Sequence, residues 1–232
     1  MSYKTETHCH TAEVSRCAHL DGAAQVKAYM DCGYSTVVIT DHFSDSTFEV
    51  LPENSTWEEK IQHFLKGYKN ALEAANGQIE VLLGMELRNI YNMNDYLVFG
   101  VTEEFLLKYN NEDMNFLEMP IAEFSKLAHE NGLLLFQAHP FRNHMTITDH
   151  NLLDGVEVYN GCVRHMSRND ICDMWADKYS LLKSAGSDAH QIGDWGRGGF
   201  VTDEKITNNE QLVSVLKKQP KLIKTLDGFL YE

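Results

Sequence analysis

The chain has 232 residues and a formal net charge of −14, from 20 Lys and Arg against 34 Asp and Glu, and 43% of its residues are hydrophobic. This length and composition predict one globular domain over residues 1–232 and exclude a disordered or collagen-like chain. The acidic balance argues against a broad membrane-binding or nucleic-acid-binding surface, because both need clustered Lys and Arg.

The five cysteines include no CxxC pair, and no N-terminal apolar stretch resembles a signal peptide. These features predict reduced thiols in a cytoplasmic protein. No run of about 18 apolar residues is present that could span a bilayer. The sequence gives no indication of the oligomeric state.

Short apolar runs alternate with longer amphipathic segments along the whole chain. The predicted strands are Tyr3–Cys9, Thr36–Thr40, Ile79–Leu87, Tyr96–Val101, Leu133–Ala138, Gly155–Tyr159, Ser180–Ala185 and Lys221–Thr225. The predicted helices are Asp21–Cys32, Trp57–Asn76, Ile121–Glu130, Arg168–Tyr179 and Asn209–Lys218. This alternation favours parallel βαβ units in an α/β fold. Seven or eight such units predict a closed barrel, with an open doubly wound sheet as the alternative.

Side chains that bind metals recur where the predicted strands end. His8 and His10 are two residues apart on the first strand, so they point to the same face. The ends of later strands carry His42, Glu86, His139, Asp188 and His190. In a parallel barrel these ends converge on one rim, which predicts a metal site there. Imidazoles and carboxylates suit Zn, Mn or Fe, and this number of ligands predicts two or three divalent ions.

All six arginines fall near the predicted rim, whereas the lysines lie mostly on helices and termini. Arg recognises phosphate through its planar fork of donors, so this distribution predicts a small anionic, phosphorylated substrate and disfavours nucleic acid as a partner. Pairing of some arginines with acidic side chains is the structural alternative. The predicted substrate contacts are Arg88, Arg142, Arg164, Arg168 and Arg197, with His165 as a candidate for the leaving group.

The ordered motifs resemble the PHP (polymerase and histidinol phosphatase) family over about residues 5–200. The motifs that carry the resemblance are His8-x-His10, Thr40-Asp41-His42, Glu86, His139-Pro140 and Ser187-Asp188-Ala189-His190. The family implies a distorted (β/α)7 TIM-like barrel with a metal centre at the C-terminal rim. It implies that His8, His10, Glu86 and Asp188 hold one ion. It also implies that Glu86 bridges to a second ion bound by His139, and that His42 and His190 hold a third.

Two departures from the family pattern stand out. The family often has a histidine just after the fourth strand, where this chain has Thr102. A further ligand usually comes from the loop after HxH, where Arg16 falls here. Glu13 and His19 are the nearest candidates, and Cys17-Ala18-His19 resembles a Cys-x-His segment of histidinol-phosphate phosphatases; the sequence does not choose between Glu13 and His19.

The predicted reaction is hydrolysis of a phosphomonoester, sugar phosphate or nucleotide phosphate by a metal-activated water, which Asp188 also orients. The alternatives are a histidinol-phosphate phosphatase, a metal-dependent hydrolase of a non-phosphate bond, and a non-catalytic metal-binding regulatory module. Two long segments, Phe43–Glu59 and Glu103–Pro120, are predicted to form a lid.

Overall fold

The computed structural model of the protein describes residues 2–225, so residue 1 and residues 226–232 of the predicted domain lie outside the described residues. The strands are β1 Tyr3–Cys9, β2 Thr36–Ile39, β3 His42–Phe43, β4 Glu80–Leu83, β5 Met85–Leu87, β6 Tyr96–Phe99, β7 Leu134–Gln137, β8 Gly155–Asn160, β9 Leu182–Gly186, β10 Phe200–Thr202 and β11 Lys221–Leu222. The helices are α1 Gly22–Asp31, α2 Asp45–Phe48, α3 Trp57–Phe64, α4 Lys66–Ala75, α5 Glu103–Tyr109, α6 Ile121–Glu130, α7 Asn169–Tyr179 and α8 Asn209–Lys217, and a 3₁₀ helix covers His150–Leu152.

The strands form two sheets. The first has the order β11-β10-β1-β2-β4, in which β1, β2 and β4 are parallel and β10 runs antiparallel to both neighbours. The second has the order β3-β5-β6-β7-β8-β9, in which only β6 runs antiparallel to its neighbours. The predicted parallel βαβ pattern therefore accounts for most, but not all, of the strand pairs.

The two sheets meet where β1 and β9 end. A parallel bridge joins Cys9 to Ala189, and Thr7 Oγ1 donates a hydrogen bond to the carbonyl of Ala185. Gly186 permits this approach, because a Cβ there would lie 2.3 Å from the Cβ of His8. The structure confirms a mixed α/β fold, but neither sheet closes on itself within residues 2–225. The closed (β/α)7 barrel thus stays a prediction.

Two predicted elements are each divided in the structure. The predicted strand Ile79–Leu87 breaks at Gly84, because β4 pairs with β2 in one sheet and β5 pairs with β3 and β6 in the other. The predicted helix Trp57–Asn76 breaks at the fully buried Leu65. A capping box between Thr56 and Glu59 begins the first of the two resulting helices.

The antiparallel course of β6 decides which of its residues reaches the site. Tyr96 pairs with both Leu87 and Gln137, so the beginning of β6 lies beside the carboxyl ends of β5 and β7. The end of β6 runs to the opposite edge, where Thr102 caps α5 by accepting a hydrogen bond from the backbone N–H of Phe105. Thr102, which stands where the family often has a histidine, therefore lies away from the rim.

The segments predicted as a lid contribute to the hydrophobic core instead. Phe43, Phe48 and Phe116 are buried, and the ring centroids of Phe43 and Phe116 are 5.8 Å apart. Both segments also contain helices that the sequence analysis did not predict, α2 and α5. Burial of these aromatic side chains anchors the segments. Among residues 2–225, no helix has the length and apolar character needed to cross a membrane.

Candidate metal centre

Seven potential metal ligands come together where β1, β2, β5, β7 and β9 end. We call them the ligand cluster: His8, His10, His42, Glu86, His139, Asp188 and His190. Five of them are at most 3% exposed, and His42 and His190 are partly exposed. The sequence predicted this convergence, because most of these residues stand at the carboxyl ends of parallel strands.

Glu86 lies at the centre of the cluster. Its Oε1 is 3.3 Å from both His8 Nε2 and His139 Nε2. Its Oε2 is 3.3 Å from His10 Nε2 and 2.9 Å from His42 Nδ1. Asp188 lies on the other side, with Oδ1 3.4 Å from His8 Nε2 and 3.3 Å from His10 Nε2. Each oxygen of Glu86 thus faces a different pair of imidazoles, an arrangement suited to bridging two ions.

The donor set fits divalent cations. Neither carboxylate oxygen of Glu86 has a hydrogen bond of acceptable geometry among the described residues, although the side chain is 1% exposed. A buried charged group without such partners is costly. Ligand atoms of His8, Glu86 and His139 lie within 4.8 Å of one another, as do those of His8, His10 and Asp188 and those of His10, His42 and His190. The clusters therefore indicate divalent metal binding.

Neighbouring side chains orient the imidazoles. His8 Nδ1 lies 2.8 Å from Glu157 Oε1, and His10 Nδ1 lies 3.1 Å from Ser15 Oγ. Ser15 in turn donates to Asp41 Oδ1. These contacts leave Nε2 of His8 and His10 facing the ligand cluster, 3.0 Å apart. Hydrogen bonds from neighbouring residues to the other ring nitrogen fix the ring orientation of metal-binding histidines.

The electrostatics of the cluster are those of closely packed opposite charges. Burial acts to lower the pKa of His8, but Glu157, Asp188 and Glu86 outweigh it and raise that pKa well above its usual value. Burial and the charges of His190 and His42 lower the pKa of His10. Burial acts to raise the pKa of Glu86, yet His8 and His42 hold it well below its usual range. The cluster thus keeps Glu86 ionised.

Two cluster residues have a backbone conformation that is uncommon for residues with side chains. The φ angles of His139 and Asp188 are 28° and 51°. Positive φ values outside glycine are concentrated at functional sites, where the surrounding structure enforces them. The turns that follow β7 and β9 thereby aim both side chains into the cluster.

A cavity of about 450 Å³, which we call the metal-side cavity, is lined on one wall by five members of the ligand cluster: His42, Glu86, His139, Asp188 and His190. Three arginines line the same cavity, Arg88, Arg142 and Arg164, together with His165. All four also line an adjoining cavity of about 410 Å³ with Met93, Met145 and Met166. Within residues 2–225, the guanidinium of Arg142 has no ion pair or hydrogen bond. Arg88 pairs with Asp95 and Arg164 pairs with Asp194.

The remaining predicted arginine contacts lie outside the metal-side cavity. Arg168 donates hydrogen bonds to the carbonyl of Phe141 and to Asn143 Oδ1, so it braces the loop after β7. Arg197 Nη1 donates to the carbonyl of Gly161. Neither side chain lines the cavity, and we correct their assignment as substrate contacts accordingly. The sequence shows that these arginines follow a predicted strand closely, but it does not show where their long side chains point.

The loop after β1 separates the two candidate ligands that the sequence left open. His19 lines the metal-side cavity. The carboxylate of Glu13 accepts hydrogen bonds from the backbone N–H of Gly22 and from Asn70, and it does not line the cavity. Glu13 as a metal ligand is therefore incorrect, because it supports the beginning of α1.

Other residues of the site were missed by the sequence analysis. Cys17 lines the cavity; burial acts to raise its pKa, but hydrogen bonds with His190 and His42 lower it to about 6. Glu157 lies behind His8, and its Oε2 accepts hydrogen bonds from the backbone N–H of His139 and from Asn160. The available signal for Glu157 was a lone carboxylate within the apolar strand β8.

Comparison with known proteins found one matching family model and several proteins of similar structure. A family model described as PHP-associated matches residues 167–219. A proposed metal-dependent phosphoesterase from Bifidobacterium adolescentis has a similar structure (TM-score 0.55, 16% identity, 92% of this chain and 96% of that chain). A two-domain Bacteroides vulgatus protein containing a PHP-like metal-dependent phosphoesterase is also similar (TM-score 0.65, 14% identity, 96% and 64%). No curated protein matches the sequence significantly.

The structural neighbours also include nucleic-acid enzymes. The lesion-specific endonuclease Q from Pyrococcus furiosus has a TM-score of 0.60 and 18% identity, over 96% of this chain and 57% of that chain. Another endonuclease Q structure contains a 27-mer duplex with an abasic lesion at the active site. The prediction that disfavoured nucleic acid as a partner is therefore wrong, because the structurally similar proteins include an endonuclease seen with a DNA duplex at its active site.

These neighbours share less than 25% identity with the chain and so define its fold, whereas the family model adds a match in sequence. Together they support the assignment of this chain to the PHP family, to which its motifs show a resemblance.

Proposed function

We propose that the protein is a metal-dependent hydrolase of phosphoric esters. The observation that supports this proposal most strongly is the metal-side cavity itself, where five members of the ligand cluster share the lining with three arginines and the fully buried His8 and His10 lie directly behind them. Ligands for cations and donors for phosphate oxygens meet in one space of about 450 Å³, which is within the usual range for small-molecule sites. The first proposed substrate is a small phosphorylated metabolite.

Each side chain has a distinct proposed role. His8, His10, Glu86, His139 and Asp188 would hold two divalent ions, and His42 and His190 would hold a third. When bound, such ions lower the pKa of water towards 7 and polarise the phosphoryl group. Arg142 would bind a phosphate oxygen, because its guanidinium lines the cavity and is uncommitted. Arg88 and Arg164 would add positive charge around the same group.

Asp188 and His165 lie next to each other on the cavity wall. Asp188 Oδ2 accepts a hydrogen bond from Asn160 Nδ2 and lies 3.3 Å from His165 Nε2. Burial acts to raise the pKa of Asp188, but His8 and His190 hold it well below its usual value. Asp188 therefore stays ionised and is suited to orienting the attacking water by accepting its hydrogen bond. His165 is placed to contact the leaving group.

A phosphoester of nucleic acid is a second candidate substrate. The endonuclease Q structures support it, because two of them resemble this chain with TM-scores of 0.60 and 0.61. This candidate predicts that affinity falls steeply with salt concentration, since phosphate contacts release counterions. A small metabolite with one phosphate predicts a much weaker dependence on salt.

The proposal is tested by a hydrolysis screen on protein whose metal content is measured by elemental analysis. The panel contains p-nitrophenyl phosphate, sugar and nucleotide phosphates, histidinol phosphate, and DNA duplexes with and without an abasic site. We expect hydrolysis of a phosphoester that is lost on metal depletion and restored by Mn, Zn or Fe. Hydrolysis that survives complete depletion would contradict the proposal. Bound metal without turnover of any phosphoester would instead indicate a regulatory module or a hydrolase of another bond.

The location of the protein remains a prediction. The described cysteines are all unpaired, namely Cys9, Cys17, Cys32, Cys162 and Cys172. This supports the proposal of a cytoplasmic protein, because disulfides are rare where thiols are kept reduced.

A further inference from the structure

A buried acid stands beside the ligand cluster that neither the sequence motifs nor the comparisons assign. Asp95 immediately precedes β6, and its side chain is 1% exposed. Its carbonyl accepts a hydrogen bond from the backbone N–H of Ala138, the residue before His139. The antiparallel direction of β6 thus brings Asp95, rather than the residues after the strand, to the rim.

Asp95 lies within reach of three members of the ligand cluster. Ligand atoms of Asp95, Glu86 and His42 all lie within 4.8 Å of one another. Asp95 Oδ2 is also 3.8 Å from His139 Nε2. Two buried carboxylates and two imidazoles therefore surround one small volume.

The neighbouring Glu86 is a second carboxylate suited to a cation. Both of its oxygens lack a hydrogen bond of acceptable geometry among residues 2–225, and the side chain is 1% exposed. Two buried carboxylates at this separation repel each other unless positive charge lies between them. His42 supplies part of that charge, since its Nδ1 lies 2.9 Å from Glu86 Oε2.

Arg88 accounts for part of the charge of Asp95. Its Nε and Nη2 donate to Oδ1 and Oδ2 of Asp95, each at 2.6 Å. A carboxylate has about four lone-pair sites, so a bidentate arginine leaves about two of them free. Pairing with Arg88 is thus compatible with a further bond from Asp95 to a cation, and it fixes the orientation of the carboxylate.

We propose that Asp95 is a metal ligand, which completes with Glu86 and His42 a site for a divalent cation in place of the histidine expected after the fourth strand. The inference rests on the proposed metal-dependent function and adds a ligand to it. Arg88 is then a positioning residue for Asp95 as well as part of the cavity wall.

The competing explanation is that Asp95 serves only as the partner of Arg88. Two variants distinguish these explanations: Asp95→Asn removes the charged ligand and Arg88→Met removes its partner. The measurement is the binding isotherm of Mn²⁺ to metal-depleted full-length protein, followed by the electron paramagnetic resonance signal of free Mn²⁺. This readout counts bound ions and does not depend on turnover.

We expect Asp95→Asn to lose about one bound Mn²⁺ or to weaken one site at least about tenfold. Arg88→Met should keep the wild-type number of ions, with an affinity at that site weakened by about tenfold at most, because the ligand remains while its support is lost. Equal losses in the two variants, or wild-type binding in Asp95→Asn, would overturn the inference. If Asp95→Asn does not fold, the double variant Arg88→Met/Asp95→Asn replaces it, because removal of both partners leaves no unpaired charge. The double variant should also bind about one Mn²⁺ fewer than wild type.

Failure of the proposed function can be told apart from failure of the assignment of Asp95. If wild-type protein binds no Mn²⁺ and hydrolyses no phosphoester, the proposed function fails and this inference fails with it. If the wild-type protein binds Mn²⁺ and is active while Asp95→Asn binds as many ions with equal affinity, only the assignment of Asp95 fails.

Discussion

The two walls of the metal-side cavity are built differently. The ligand cluster is largely buried, its imidazoles are oriented by hydrogen bonds to Glu157 and Ser15, and the Glu86 oxygens remain unsatisfied. The arginine wall is more exposed, and two of its three guanidinium groups are already neutralised by Asp95 and Asp194. One wall thus gathers buried carboxylates and imidazoles suited to binding cations, whereas two of the three arginines on the other wall are already paired with acids.

This difference in charge separates the tasks of the two walls. A buried carboxylate surrounded by imidazoles is stabilised by a cation that replaces the protons of the histidines. An arginine that is already paired with a carboxylate can contact a substrate anion only by sharing its donors. Most of the phosphate recognition on the arginine wall therefore falls to Arg142. Variants in the two walls should therefore differ both in size of effect and in the property that changes.

The largest effect is expected from Glu86→Gln, which breaks the ligand cluster at its centre. Metal ions contribute several kcal/mol to such reactions, so kcat/KM should fall at least about 1000-fold. Elemental analysis should show fewer ions per chain. Glu13→Gln is the control, because Glu13 lies near the site in sequence but supports α1. Equal metal loss in both variants would contradict this assignment.

A second prediction concerns Glu6, which lies behind the ligand cluster. Burial raises the pKa of Glu6 from 4.5 to about 7, although hydrogen bonds from Ser187 and His8 oppose the shift. The folded protein therefore holds this proton more tightly than the unfolded chain does. The associated stability is fully present below pH 4.5 and is lost as pH rises towards 7.

Glu6→Gln cannot titrate, so it isolates this contribution. The difference in free energy of unfolding between wild type and Glu6→Gln should decrease by about 3 kcal/mol from pH 4.5 to 7. Chemical denaturation of metal-depleted protein at several pH values measures it, because the other titrating groups cancel in the comparison. A difference that does not vary with pH would show that Glu6 has an ordinary pKa.

The arginine wall is tested by Arg142→Ala. Loss of a charged hydrogen bond to phosphate, worth about 1.5–3 kcal/mol, should reduce kcat/KM about 10-fold to 100-fold. The number of bound ions should not change, in contrast to Glu86→Gln. Arg16→Ala is the matched control, because Arg16 forms an exposed pair with Glu49 and should leave kcat/KM unaltered. A change in metal content in Arg142→Ala would contradict the assignment of metal binding to the ligand cluster alone.

The smallest effect is expected from Glu157→Gln, which weakens the support of His8 without removing a ligand. Substitution of a residue that orients a metal ligand typically costs about 10-fold to 100-fold in metal affinity or activity. Because the amide of Gln can still accept a hydrogen bond, we expect Mn²⁺ affinity to fall only about tenfold. Titration of Mn²⁺ into depleted protein measures the affinity. Unchanged affinity would mean that packing alone orients His8.

The sequence predicted the ligand cluster well because its residues share a simple rule. His8, His139 and Asp188 stand at the carboxyl ends of strands that each run parallel to one neighbouring strand, and such ends converge. The same rule does not hold at β6, where the family pattern drew attention to Thr102 after the strand and Asp95 before the strand was missed. Strand direction is set by pairing with β5 and β7, which a hydrophobic pattern does not reveal.

The contacts of long side chains, and the points where predicted elements break, could not be predicted from the sequence. Arg168 and Arg197 lie near strand ends in the chain, yet their guanidinium groups turn to backbone carbonyls away from the cavity. The break in the predicted helix at Leu65 and that in the predicted strand at Gly84 depend on which element each half packs against. Long-range packing overrides the local pattern in all these cases.

The most direct test of the metal centre is anomalous diffraction at the manganese absorption edge, from crystals of the full-length protein grown with Mn²⁺. The account predicts strong peaks among His8, His10, Glu86, His139 and Asp188, with further density near His42. Peaks confined to other parts of the molecule, or none at a Mn²⁺ concentration that supports hydrolysis, would contradict it.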